Sequence, residues 1–110
     1  MKIENTIAQM RKGVLEYCIL GVLSKGDAYA SDIIARLKGA ELIVVEGTLY
    51  PLLTRLKNAE LLEYRWEESN AGPPRKYYSL SAQGRAFQLE LKGTWENLNS
   101  AVEQLTSTPS

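Results

Sequence analysis

Apolar positions along this chain recur with a helical period in its first half, alternate around residue 70, and return to a helical period at the end. In "GVLEYCILGVLSKG", Val14, Leu15, Cys18, Ile19, Val22 and Leu23 follow i, i+3, i+4 spacing, which predicts a buried first helix ending at Lys25-Gly26. Asp27 is then expected to cap a second helix, "AYASDIIARLKG", with Tyr29, Ile33, Ile34 and Leu37 as its apolar stripe and Gly39 as its stop. "ELIVV" is too short for a helix and rich in β-branched residues, so it predicts a connector or minor strand. In "EGTLYPLLTRLKNAE", Leu49, Leu52, Leu53 and Leu56 mark one face of a third helix. Pro51 lacks an N–H, so this helix either starts near Thr48 as its cap or starts earlier and bends.

The segment "LLEYRWEESNAGPPRKYYSL" alternates. Leu62, Tyr64 and Trp66 oppose Glu63, Arg65 and Glu67, and Lys76, Tyr78 and Leu80 oppose Arg75, Tyr77 and Ser79. Two strands joined by "ESNAGPP" form a hairpin, with Gly72 and the prolines excluding regular pairing at its tip. Ser81 is placed to cap a last helix in which Phe87, Leu91, Trp95, Leu98, Val102 and Leu105 step by 4, 4, 3, 4 and 3, close to a coiled-coil seam weakened only at Gly84 and Gly93. So long an apolar stripe on so small a domain calls for a second copy. The fold class expected is mainly α with a small β hairpin. It comprises a winged helix-turn-helix domain over residues 1–80, with residues 1–9 as an N-terminal arm, and a dimerisation helix over 81–110.

Charge changes this picture locally. Thirteen basic and thirteen acidic residues give a formal net charge of zero, so any anion site must be a patch. Two stretches leave acids out: the residues between Glu46 and Glu60, and those from Ser69 to Leu89. The first puts Tyr50, Pro51, Thr54, Arg55, Lys57 and Asn58 on the polar side of the third helix. Arg55 and Lys57 suit phosphates or guanine edges, Tyr50 and Thr54 suit phosphate oxygens, and Thr48 near the helix start brings N–H groups to a phosphate. The second stretch puts Arg75 and Lys76 beside a stiff Pro73-Pro74 tip, as a wing reaching the DNA backbone or minor groove.

The other chemistry is sparse. There is no histidine and no second cysteine to join Cys18, so neither a transition-metal site nor an internal disulfide is expected, and Cys18 reads as a small buried hydrophobe. No nucleophile–base pair or phosphate-cradling glycine loop is present, so no enzyme and no cofactor are expected. The charged start and the short apolar runs exclude a secretory signal and a membrane span and predict a cytoplasmic protein.

"EGTLYPLLTRL", a strand bearing Trp66, and "GPPRKYYSLSAQG" together resemble the PadR family of transcriptional regulators, over nearly the whole chain. The single last helix is similar to that of its smaller subfamily. The resemblance implies a dimeric winged-helix repressor with a C-terminal dimerisation helix. By position, it puts Tyr50, Pro51, Thr54, Arg55 and Lys57 on the recognition helix, Pro74, Arg75 and Lys76 on the wing, and Tyr77 and Tyr78 in the strand that holds it. It also implies that Trp95 could line a pocket for a planar aromatic effector at the dimer interface. Two departures are "NAELL", where the family commonly has a glycine before the leucines, and an uneven seam at Gly93. The expected partners are a second copy of the chain and double-stranded DNA carrying an inverted repeat. A winged-helix protein-interaction module and an aromatic-ligand sensor with weak DNA affinity are the alternatives.

Overall fold

Leucines at helical spacing lose their water most completely where three helices converge, and that convergence organises the computed structural model, which describes residues 1–109. The elements are α1 (Ile3–Ser24), β1 (Ala28–Tyr29), α2 (Ala30–Gly39), α3 (Glu46–Asn58), β2 (Leu62–Ser69), β3 (Gly72–Leu80) and α4 (Ala82–Thr106). Ile19, Leu20 and Leu23 of α1, Ile33 and Leu37 of α2, and Leu49, Leu53 and Leu56 of α3 form the core, which Leu62, Tyr78 and Leu80 close from the sheet. Each fully buried aliphatic side chain contributes roughly 1.5–3 kcal/mol through the apolar surface it hides. Cys18 is partly buried beside this core, and burial pushes its thiol above the usual range, as a non-reactive role requires.

Several boundaries differ from the sequence expectation, each for a local reason. Residues 3–9, expected as an arm, are the first turns of α1. Asp27 does not cap α2: the helix begins at Ala30, and the Tyr29 N–H donates to the Asp32 carboxylate (3.0 Å) while Asp27 pairs with Arg65. "ELIVV", expected as a connector or minor strand, is a connector. Of the two starts the sequence allows for α3, the earlier one is found: the helix starts at Glu46, the Thr48 N–H donates to the Val45 carbonyl (3.0 Å) instead of Thr48 serving as the cap, and Pro51 lies inside the helix. The hairpin pairs further toward its tip than expected, to Ser69–Gly72. Between Glu67–Arg75 and Ser69–Gly72, Pro73 and Pro74 stand opposite the single residue Glu68. The ladder slips there, so the missing proline donors are not needed. The third strand, β1, pairs only with Tyr77 and Tyr78 of β3, giving an antiparallel sheet of order β1-β3-β2.

The glycine missing from "NAELL" is explained at the end of α3. Glu60 takes a left-handed conformation, φ 65°, with Leu61 N–H donating to the Leu56 carbonyl (3.0 Å) and Glu60 N–H to that of Lys57 (2.9 Å). This is the Schellman termination that a glycine serves best. A side chain in that region costs about 1–2 kcal/mol, partly offset by the unfolded-state entropy of glycine. Glu60→Gly should therefore stabilise the fold by roughly 0.5–1 kcal/mol, read as a raised urea midpoint at unchanged m-value; a neutral or destabilising result would show that the Glu60 side chain contributes more than its conformation costs.

Beyond Leu91 every described residue of α4 is exposed. The Cα radius of gyration is 16.0 Å, against about 13 Å for a compact chain of this length, and the longest axis is 58 Å. The excess is α4 leaving the domain.

Candidate nucleic-acid interface

The two-residue period of the sheet sorts its side chains between two faces. Toward α3 lie Tyr64, Trp66, Lys76 and Tyr78, with Tyr64 opposite Tyr78 and Trp66 opposite Lys76. Tyr78 is buried, and loss of water pushes its phenol above the ordinary tyrosine range, so it stays neutral and anchors β3 to the core. The Tyr64 ring packs 5.9 Å from that of Tyr78 and edge-on to Trp66 at 6.0 Å.

Tyr64 is also where two elements bring their cations together. The Lys76 ammonium of β3 lies 4.5 Å from the Tyr64 ring centroid and 5.6 Å from that of Trp66, and the Lys57 ammonium of α3 lies 5.6 Å from Tyr64. The negative faces of the rings hold both ammonium groups without neutralising them. Thr54 shares the small cleft between Lys57 and Lys76, and Tyr50 shares a neighbouring cleft of about 370 Å³ with Trp66, Pro74, Arg75 and Lys76. Tyr50, Thr54 and Lys57 are four and three residues apart, one row of the helix turned toward the wing. Glu46 also lines the larger cleft, the one carboxylate among these cations.

The rest of the expected set is divided. Pro51 is exposed. Arg55 lies on the flank toward α1, where its guanidinium meets the Glu16 carboxylate at 3.0 Å; its side chain remains 71% exposed against 20% for Glu16. On the outer face of the wing, Arg65 donates from Nε to Glu67 (2.8 Å) and from Nη1 to Asp27 (3.1 Å) and lies 4.6 Å from the Tyr77 ring. Its hydrogen bonds to the Glu67 and then the Asp27 carboxylate push the Arg65 guanidinium further up, so it is permanently charged. The Arg75 guanidinium lies 3.9 Å from the Tyr29 ring, which packs 4.7 Å from that of Tyr77. Sequence reasoning missed Tyr29, Tyr64 and Arg65 as supports of the cations. Alternation grouped Tyr64 with Trp66 and Lys76 with Tyr78, but which of these sets share a face is set by the cross-strand register, and a two-residue strand such as β1 leaves no periodic signal.

Along α4, Phe87 and Leu91 line a groove of about 750 Å³ with Glu16, Leu20, Arg55 and Leu61. Trp95, 39% exposed, lies beyond it, as do Leu98, Val102 and Leu105. Among the described residues no group of acids, cysteines or histidines could hold a metal ion, and no helix is long and apolar enough to cross a membrane.

Residues 19–90 match the family model described as the transcriptional regulator PadR-like family. The X-ray structure of a PadR-like transcription factor from Bacteroides fragilis is similar to this chain, with 61% identity and a TM-score of 0.79 over 93% of this chain and 99% of that one. A PadR-like transcriptional regulator from Bacillus cereus shares 35% identity, with a TM-score of 0.81 over 92% of this chain and 99% of that one. An uncharacterised protein of Lysinibacillus sphaericus is 27% identical over 84% of this chain and 87% of its own.

Proposed function

Because the chain belongs to the PadR-like family of transcriptional regulators, we propose that it acts as a homodimeric repressor that binds an inverted-repeat operator and is released by a small effector. The observation that carries the DNA-binding surface is the convergence of Lys57 from α3 and Lys76 from the wing on one tyrosine. In a winged helix, α3 enters the major groove and the hairpin reaches the adjoining backbone. Cations already gathered on a ring face arrive at the phosphates with less side-chain freedom left to lose. Tyr50 and Thr54 supply hydroxyls along the same row, and Pro74 and Arg75 extend the interface along the wing. Thr48 and Pro51 are exposed near the start of α3. An exposed ion pair is worth under about 1 kcal/mol, so Glu16 does not lock Arg55 away from a base edge or phosphate.

Lys57→Ala and Lys76→Ala should each weaken binding to all sequences about equally and lower the slope of log affinity against log salt by about 0.9 for every phosphate left without its lysine. Gel shifts over a salt series measure this. Unchanged slopes in both variants would put the interface elsewhere.

A second copy covering the exposed stripe of α4 would enclose Trp95, which suits the face of a planar aromatic effector. Such a compound should quench Trp95 fluorescence in a Trp66→Phe background. Beside DNA, the protein would work in the cytoplasm.

A further inference from the structure

The two arginines on the outer face of the wing are held differently. In the strand ladder Glu67 stands opposite Arg75, a position from which a carboxylate normally neutralises its cross-strand cation. It does not do so here. Glu67 accepts instead from Arg65, two residues back on its own strand, at 2.8 Å. Arg75 lies on the Tyr29 ring, and among the described residues it makes no ion pair.

We propose that Arg65 is a positioning residue for DNA binding: by engaging Glu67 it keeps that carboxylate off Arg75, leaving Arg75 stacked on Tyr29 and available to a phosphate. The inference rests on the reading of the wing as a DNA-binding element. Arg65 prevails in the competition because its guanidinium is held from three sides, by Glu67, by Asp27 at 3.1 Å from the turn before β1, and by Tyr77 at 4.6 Å. A planar fork already fixed by one carboxylate and one ring loses little further freedom in taking the second carboxylate. Arg75 has the opposite surroundings. Its backbone is fixed beside the Pro73-Pro74 slip in the ladder, and a guanidinium stacked on a ring keeps its rim of N–H donors for a bidentate acceptor. Both nearby carboxylates, Asp27 and Glu67, are thus engaged on Arg65, and Arg75 is left without a directly bonded carboxylate.

The test uses Arg65→Gln, Glu67→Gln and the double variant, in the free protein and with DNA. In the free protein, the Arg75 Nε–Hε NMR signal reports its place over the Tyr29 ring. It should move in Arg65→Gln, as Glu67 turns to Arg75, and return in the double variant. With DNA, Arg65→Gln should lower the salt slope by about 0.9 per wing, which shrinks the fall in affinity between about 50 and about 200 mM salt by about 3.5-fold per wing. Glu67→Gln should restore binding in the Arg65→Gln background while changing it little on its own. An unmoved Arg75 signal overturns the competition, whatever the DNA result. An Arg75 signal that moves without any change in DNA binding overturns the place of the wing in the interface, and the positioning role with it. Additive effects of the two substitutions on affinity would mean that Arg65 acts on DNA directly, which also overturns the proposal.

Discussion

Gly84→Ala should destabilise the protein by about 3 kcal/mol or more, although alanine is the better helix former. A Cβ at Gly84 would overlap the Leu61 carbonyl oxygen, which is backbone and cannot swing aside. That carbonyl accepts the Ser81 N–H (3.1 Å); the Ser81 hydroxyl donates to the Glu60 carbonyl (2.6 Å) and accepts from the Gly84 N–H (2.9 Å). Pushing the first turn of α4 away from Leu61 therefore breaks the joint between α3, β2 and α4, including the cap itself. The roughly 1 kcal/mol gained in helix propensity does not offset this. Gly93 supplies the contrast. A Cβ there meets nothing within 4 Å, so Gly93→Ala should stabilise by up to about 1 kcal/mol. Urea unfolding of both variants at one fixed protomer concentration decides the matter. If Gly84→Ala unfolds at the wild-type midpoint, α4 does not seat on Leu61 as described.

In the homodimer proposed above, Leu98→Glu should yield a monomer and reduce affinity for an inverted repeat by roughly 10²–10⁴, the factor that linking two half-site interactions supplies. Leu98 is 56% exposed and lies outside the core, so its substitution leaves the winged domain intact and acts only on the proposed seam. Trp95, Val102 and Leu105 share that exposed stripe, and a carboxylate buried in its middle without a partner would cost several kcal/mol. Sedimentation measures the association state, and gel shifts on full and half operators measure the affinity. A Leu98→Glu protein that remains dimeric would mean that the copies meet through another surface.

Wherever an element is long and its burial one-sided, its identity is legible in the chain. The stripe from Val14 to Leu23, the leucines of α3 and the alternation on either side of residue 70 each lie in the element they predict. Boundaries were less legible, because they depend on single bonds. Asp27 has the chemistry of a cap and spends it on Arg65, while Tyr29 opens α2 with help from Asp32. Pro51 leaves two starts open for α3, near Thr48 or earlier, and it is the Val45 carbonyl, accepting from the Thr48 N–H, that goes with the earlier one.

The candidate interface divides in the same way. Its residue types and the absence of acids around them could be read from the string, since omission of charge is a property of composition. Its arrangement could not. Lys57 and Lys76 meet over Tyr64 only because α3 packs beneath the sheet. Arg55 faces Glu16 only because α1 runs along the other flank. Sequence by itself determined the long elements and the family resemblance, because hydrophobic period and local motifs act over a few residues. Tertiary structure alone decided which cations are left unpaired and which glycine is indispensable, because a carboxylate's choice between two arginines, like the clearance above Gly84, is set by distances between segments far apart in the chain.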